Sequence, residues 1–127
     1  MKILFIIPPY RTTDNLSNRL FPMPLASVTL GTILQNKGHE VVIKDFLIPK
    51  QKHKTEQPEI FKGKYSPGYY HYGIPMEECI KWIDKNINKF DVVGLCMCQC
   101  NLFETSEIIA KHMLNGDVKV INQEGLF

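Results

Sequence analysis

KILFIIPPY, residues 2–10, sets five consecutive apolar residues, Ile3 to Ile7, directly ahead of two prolines. A continuous apolar run suits a strand covered on both faces, as in a parallel sheet, whereas a strand with one wet face would alternate. Pro8 and Pro9 lack the N–H that a central strand needs, so the strand stops there. Residues 10–24 are polar and broken, with Arg11, Thr12, Thr13, Asp14 and Asn15 reading as loop. From residue 25 to 37 the apolar residues Leu25, Val28, Leu30, Ile33 and Leu34 recur at helical intervals, and Gly38 supplies the stop. Residues 41–43 then have the β-branched character of a second strand. Strand, helix and strand in this order make a βαβ unit, which joins parallel neighbours by a right-handed crossover.

The same alternation continues. Residues 76–88 read as a second helix behind Pro75, 92–97 as a third strand, 103–114 as a third helix and 118–121 as a fourth strand. Together they predict a three-layer α/β/α, Rossmann-like (flavodoxin-like) domain over residues 1–127. Its sheet is expected to be all parallel, with strand order 2-1-3-4 and strand one central. Residues 48–74 interrupt the pattern. They hold Phe61, Tyr65, Tyr69, Tyr70 and Tyr72 without steady periodicity, over a length beyond an ordinary connection, and read as an insertion that packs its own side chains over the sheet edge.

A chain of 127 residues is long enough for one core and short for two domains. Fifteen Lys and Arg against thirteen Asp and Glu give no field strong enough to point to nucleic acid. The first apolar run is too short for a signal peptide, and no run of about 18 apolar residues offers a membrane span. A cytosolic protein is the expectation, with Cys79, Cys96, Cys98 and Cys100 as thiols rather than a disulfide framework.

Four segments carry a resemblance: KILFIIPPY at 2–10, FPMPLASVTLGTILQNKGHEVVIKD at 21–45, FDVVGLCMCQCN at 90–101 and ETSEIIAKHM at 104–113. A first strand ending in two prolines, Pro-x-Pro-Leu at the helix start, Lys-Gly-His-Glu-Val and Asp-Val-Val-Gly follow one another in order. In this the chain resembles the cobalamin-binding domain that precedes the catalytic domain of many radical SAM enzymes. The resemblance implies a module that holds cobalamin at the carboxyl edge of the sheet and presents it to a separate radical SAM domain for methyl transfer or related chemistry. S-adenosylmethionine and the 4Fe-4S cluster belong to that other domain, since the Cys-x-x-x-Cys-x-x-Cys loop is missing here and the chain is not expected to be catalytic alone. Other cobalamin domains use an Asp-x-His-x-x-Gly loop after strand one to supply a lower cobalt ligand. This chain has no such loop, which implies a cofactor without a histidine ligand.

In an open parallel sheet the ligand crevice lies beyond the carboxyl ends of the strands, where strand order reverses. That rule selects Pro8, Pro9 and Tyr10 after strand one, and Met23, Pro24, Leu25 and Ala26 at the start of the first helix. It also selects Cys96, Met97, Cys98, Gln99 and Cys100 after strand three. The family carries a Gly-Gly-Pro type turn after strand four, where this chain has Asn122, Gln123, Glu124 and Gly125. Gly125 is the residue left to play that part.

Alternatives stay open. Cys96, Cys98 and Cys100 alternate, so an extended backbone would turn all three to one face, as a metal or redox site needs, although Cys96 and Cys98 also suit plain packing. An interaction or regulatory domain that keeps the fold without the cofactor is the other reading. The family's last helix and strand would follow Phe127, so the chain reads as the N-terminal piece of a larger radical SAM protein. Strand four then needs cover, either from a homodimer joined there or from residues 122–127 folding back to lay Leu126 and Phe127 over apolar surface.

Overall fold

The structure, a computed structural model, describes residues 1–12, 25–47, 52–55, 69–96, 103–114, 119–122 and 125–126. Strand β1 (Lys2–Ile7) lies between β3 (Glu40–Asp45) and β6 (Val92–Leu95), parallel to both. Strand β7 (Lys119–Asn122) extends the sheet in parallel beyond β6. The four segments expected as strands all lie in this sheet, and the molecule is a mixed α/β protein with a Rossmann-like parallel core.

Numbered along the chain, the sheet runs β3-β1-β6-β7-β8, not 2-1-3-4. Two features account for the difference. Strand β8 (Gly125–Leu126) returns after Asn122 and pairs antiparallel with β7, so the chain's own backbone occupies that edge. Segments expected as loop and insertion contribute β2 (Tyr10–Thr12), β4 (Lys52–Thr55) and β5 (Tyr69–Tyr72), which form a second, antiparallel sheet in the order β2-β5-β4. The two prolines end β1 as expected, but the chain resumes a strand three residues on, paired with a different partner.

Alternation along β1 sorts the layers. Leu4 and Ile6 are fully buried in a core with Val93 and Leu95 of β6. The same core takes Cys79 and Ile83 from helix α2 (Met76–Asn86) and Ile109, Ala110 and Met113 from helix α3 (Phe103–Met113). Helix α1 (Leu25–Asn36) covers the opposite face and turns its small residues, Ser27 and Gly31, inward. A Cβ on Gly31 would stand 3.3 Å from Val41 of β3 and 4.0 Å from Phe5 of β1, so the absence of a side chain sets how closely the helix approaches. No charged residue occurs in α1, and Leu25, Val28, Leu30 and Ile33 are all exposed. Helix α2 follows a more usual plan, with Glu77 and Glu78 in its first turn and Lys85 in its last, each charge favourable to the helix dipole. Gly38 ends α1 at a φ of +91°, the left-handed position expected of a helix stop.

Candidate functional site

Because α1 meets the sheet through small side chains and stands toward β3, the sheet surface beside it stays uncovered among the described residues. The result is a groove with a cavity of about 380 Å³. Ala26, Leu30 and Leu34 form its helical wall, Phe5 and Gly94 its floor, and Cys96 its boundary at the carboxyl end of β6. The floor spans β1 and β6, and β1 is the strand flanked by β3 on its other side. The groove thus runs up to the position where parallel sheets of this kind hold ligands. Its size and apolar lining suit a flat or aliphatic group rather than a charged one.

The residues selected from the sequence divide into several groups. Ala26 and Cys96 line the groove. Cys96 is buried, and its N–H donates to the Ile6 carbonyl over 3.0 Å, extending the β1–β6 pairing by one step. Leu25 stands at the first turn of α1, two-thirds exposed. Pro8 and Pro9 are fully buried, so they shape the turn instead of offering a surface. Tyr10 is half-buried against Ile7, Leu47, Tyr72 and Cys96. Gly125 lies in β8, opposite Asn122. Met23, Pro24, Met97, Cys98, Gln99 and Cys100 fall outside the described residues.

A polar cluster on the far side of the Pro8–Pro9 turn was not anticipated. Arg11 Nε donates to His71 Nδ1 at 3.0 Å, and its terminal nitrogen reaches Glu104 Oε1 at 2.7 Å. His71 Nε2 lies 2.7 Å from the Ile74 carbonyl oxygen. Thr105, in the first turn of α3, donates its hydroxyl to the Pro9 carbonyl at 2.6 Å, and both groups are buried. That bond satisfies a carbonyl which the proline turn leaves outside any ladder. Beside it, the buried Ser106 hydroxyl has no hydrogen-bond partner among the described residues. Helical or strand periodicity could not have found this cluster, although a Tyr-Arg-Thr triplet directly after two prolines was a polar signal worth weighing.

Other residues take structural roles. Cys79 is fully buried, and burial pushes its thiol up from 9.0 to about 12, so it stays protonated and unreactive. Asp45 accepts the Leu47 N–H at 2.8 Å and closes the turn after β3. Trp82 packs edge-on against Phe46 at 5.7 Å, with the Lys44 ammonium 5.0 Å from its ring centre. Among the described residues no three His, Cys, Asp or Glu side chains are grouped to hold a metal ion, and no helix is long and apolar enough to cross a membrane. Comparison of the chain with protein-family models, curated proteins and solved structures gives no match.

Proposed function

We propose that this chain is a cobalamin-binding module of flavodoxin-like design that presents its cofactor to a radical SAM catalytic domain. The observation that carries the reading is the apolar groove between α1 and the β1–β6 floor, which runs to the carboxyl edge at Ala26 and Cys96. Such a slot would suit the flat base at the end of the cofactor's nucleotide tail. Ala26, Leu30 and Phe5 would hold that base and exclude water from it. Backbone N–H groups in the first turn of α1 would meet the tail's phosphate. Bound cobalamin supplies a cobalt centre able to accept and pass on a methyl group.

The positions of His39, His71 and His112 support a cofactor held without a ligand from these three histidines. His39 sits 3.2 Å from the terminal amino group of Met1, at the amino end of the sheet. His112 pairs with Asp84 at 2.6 Å between α3 and α2, and His71 is engaged at both ring nitrogens. The reading is tested by titrating the purified chain with hydroxocobalamin under reducing and non-reducing conditions, with the spectrum and co-elution as readouts. Wild type is expected to bind in the micromolar range. Ala26→Phe, which fills the groove from its exposed rim, is expected to weaken binding by about tenfold or more, a loss of roughly 1.4 kcal/mol. Failure of wild type to bind at high micromolar cofactor refutes the proposal.

One observation favours a second reading, an interaction domain without cofactor. Helix α1 exposes Leu25, Val28, Leu30 and Ile33 and carries no charge on any side, as expected of a helix with neighbours around it. In that case Ala26→Phe would leave cobalamin behaviour unchanged while altering association with a partner domain.

A further inference from the structure

Two parts of this fold want cover, and they lie side by side. At a spacing of about 4.8 Å, the parallel strands β3, β1, β6 and β7 make a sheet roughly 19 Å wide. An α-helix with its side chains is about 10–12 Å across, so each face of such a sheet takes two helices. On one face α2 and α3 close over Leu4, Ile6, Val93 and Leu95. On the other, α1 stands alone among the described residues, seated over β3 and β1 through Gly31, and the strip over β1 and β6 beside it stays open as the groove. We propose that a second copy of this chain closes that strip: in a two-fold dimer, the α1 of each protomer lies in the groove of the other. The proposal rests on the interaction reading and gives it a definite partner.

The helix carries the argument for that occupant. With Gly31 against the sheet, a helical turn of about 3.6 residues puts Leu25 and Val28 toward the β3 flank, Leu30 toward the groove and Ile33 on the outer side. Each of these four is at least 45% exposed, and no Asp, Glu, Lys or Arg occurs from residue 25 to 36. A helix apolar all round is one with neighbours around it. A second α1, antiparallel across a two-fold axis, supplies them. Leu30 meets its counterpart, and Ile33 rests on the partner's floor, where Gly94 adds no side chain to hold the helix off. Two helices without charge approach free of like-charge repulsion. The contact is self-complementary, so it closes at two copies instead of growing into a filament. A slot about 18 Å long and one helix wide, together with the outer side of α1, covers on the order of 500 Å² per copy, or about 1,000 Å² in all. That is the lower bound for a specific pair, so the dimer forms and parts with concentration.

The test uses the full chain without cofactor. Sedimentation velocity from about 5 to 500 μM is expected to move from monomer to dimer, with the midpoint inside that range. Leu30→Glu and Ile33→Lys change nearly half-exposed positions and bring like charges together across the axis, so each is expected to weaken association at least about tenfold. Ile108→Glu is the control, because Ile108 is also exposed and apolar but lies on α3, over the opposite face; its midpoint is expected to stay within about twofold of wild type. Far-UV circular dichroism and Trp82 fluorescence check that each variant is folded. Wild type that stays monomeric at the highest concentration overturns the pair, and that measurement needs no variant. So does assembly beyond two copies, or a dimer indifferent to Leu30→Glu and Ile33→Lys, or one weakened as much by Ile108→Glu. A monomer leaves the interaction reading itself standing, since Ala26→Phe tests that against a partner domain.

Discussion

Gly73 joins β5 to α2 at a φ of +107°, and a Cβ placed there would lie 2.5 Å from the Phe46 carbonyl oxygen and 3.1 Å from the Leu47 Cα. Both obstacles are backbone, so neither can swing aside. Gly73→Ala therefore pays a conformational cost of roughly 1–3 kcal/mol for a region that is essentially glycine's own. Relieving the overlap also pulls the chain off the bond from Ile74 N–H to the Phe46 oxygen, now 2.9 Å, worth about 1 kcal/mol more. The expected loss is roughly 2–4 kcal/mol, a large share of the stability of a small domain. Gly38 isolates the conformational part, because its φ is +91° yet nothing lies within 4 Å of a Cβ built on it. Gly38→Ala is expected to cost only about 1–2 kcal/mol. Urea unfolding followed by the fluorescence of Trp82, the single tryptophan, reads both variants where the strain falls, since its ring packs on Phe46. Equal losses for the two variants, or a Gly73→Ala protein within about 0.5 kcal/mol of wild type, would refute the reasoning.

Two other perturbations probe the site's surroundings. Cys79 is expected to resist alkylation at pH 8 in the folded chain and to react once unfolded in urea, with mass spectrometry locating the label. Because its folded thiol is raised from 9.0 to about 12, its contribution to stability is complete below pH 9 and declines as pH rises toward 12, so removing it in Cys79→Ala should flatten the alkaline limb of the stability profile. Thr105→Val keeps the volume but strips the donor from the buried Pro9 carbonyl, and equilibrium unfolding should show a loss of about 1–3 kcal/mol; a neutral result would mean another donor replaces it.

The parallel core was legible because its signals are local and continuous. Ile3 to Ile7 need cover on two faces, and the spacing of Val28, Leu30, Ile33 and Leu34 marks a helix whichever way it is turned. Which way it turns was not legible. Ser27 and Gly31 are buried against the sheet while Leu25, Val28, Leu30 and Ile33 stay exposed, a reversal set by how closely α1 must approach Val41 and Phe5. The second sheet was hidden for a different reason. Tyr10–Thr12 and Tyr69–Tyr72 are short, and their pairing with each other joins segments about sixty residues apart, so neither carries its own strand signal. The site followed the same division. Ala26 and Cys96 came from the rule about carboxyl edges, whereas the Arg11–His71–Glu104 contacts exist only once three distant elements have met.

That sixty-residue separation also orders events at the ribosome. Strands β1 and β3 can pair once Asp45 has emerged, but β2 must wait for Tyr72, the partner of Tyr10. At synthesis rates of about 5–20 residues per second, the wait from Tyr10 to Tyr72 lasts roughly 3–12 s. Throughout it the strand just beyond the Pro8–Pro9 turn has its backbone groups unpaired, close to a half-built sheet whose β1 edge still lacks β6. A nascent chain in this state offers two open strand edges at once until Tyr72 arrives to pair β2, and the β1 edge then waits further for β6, complete at Leu95.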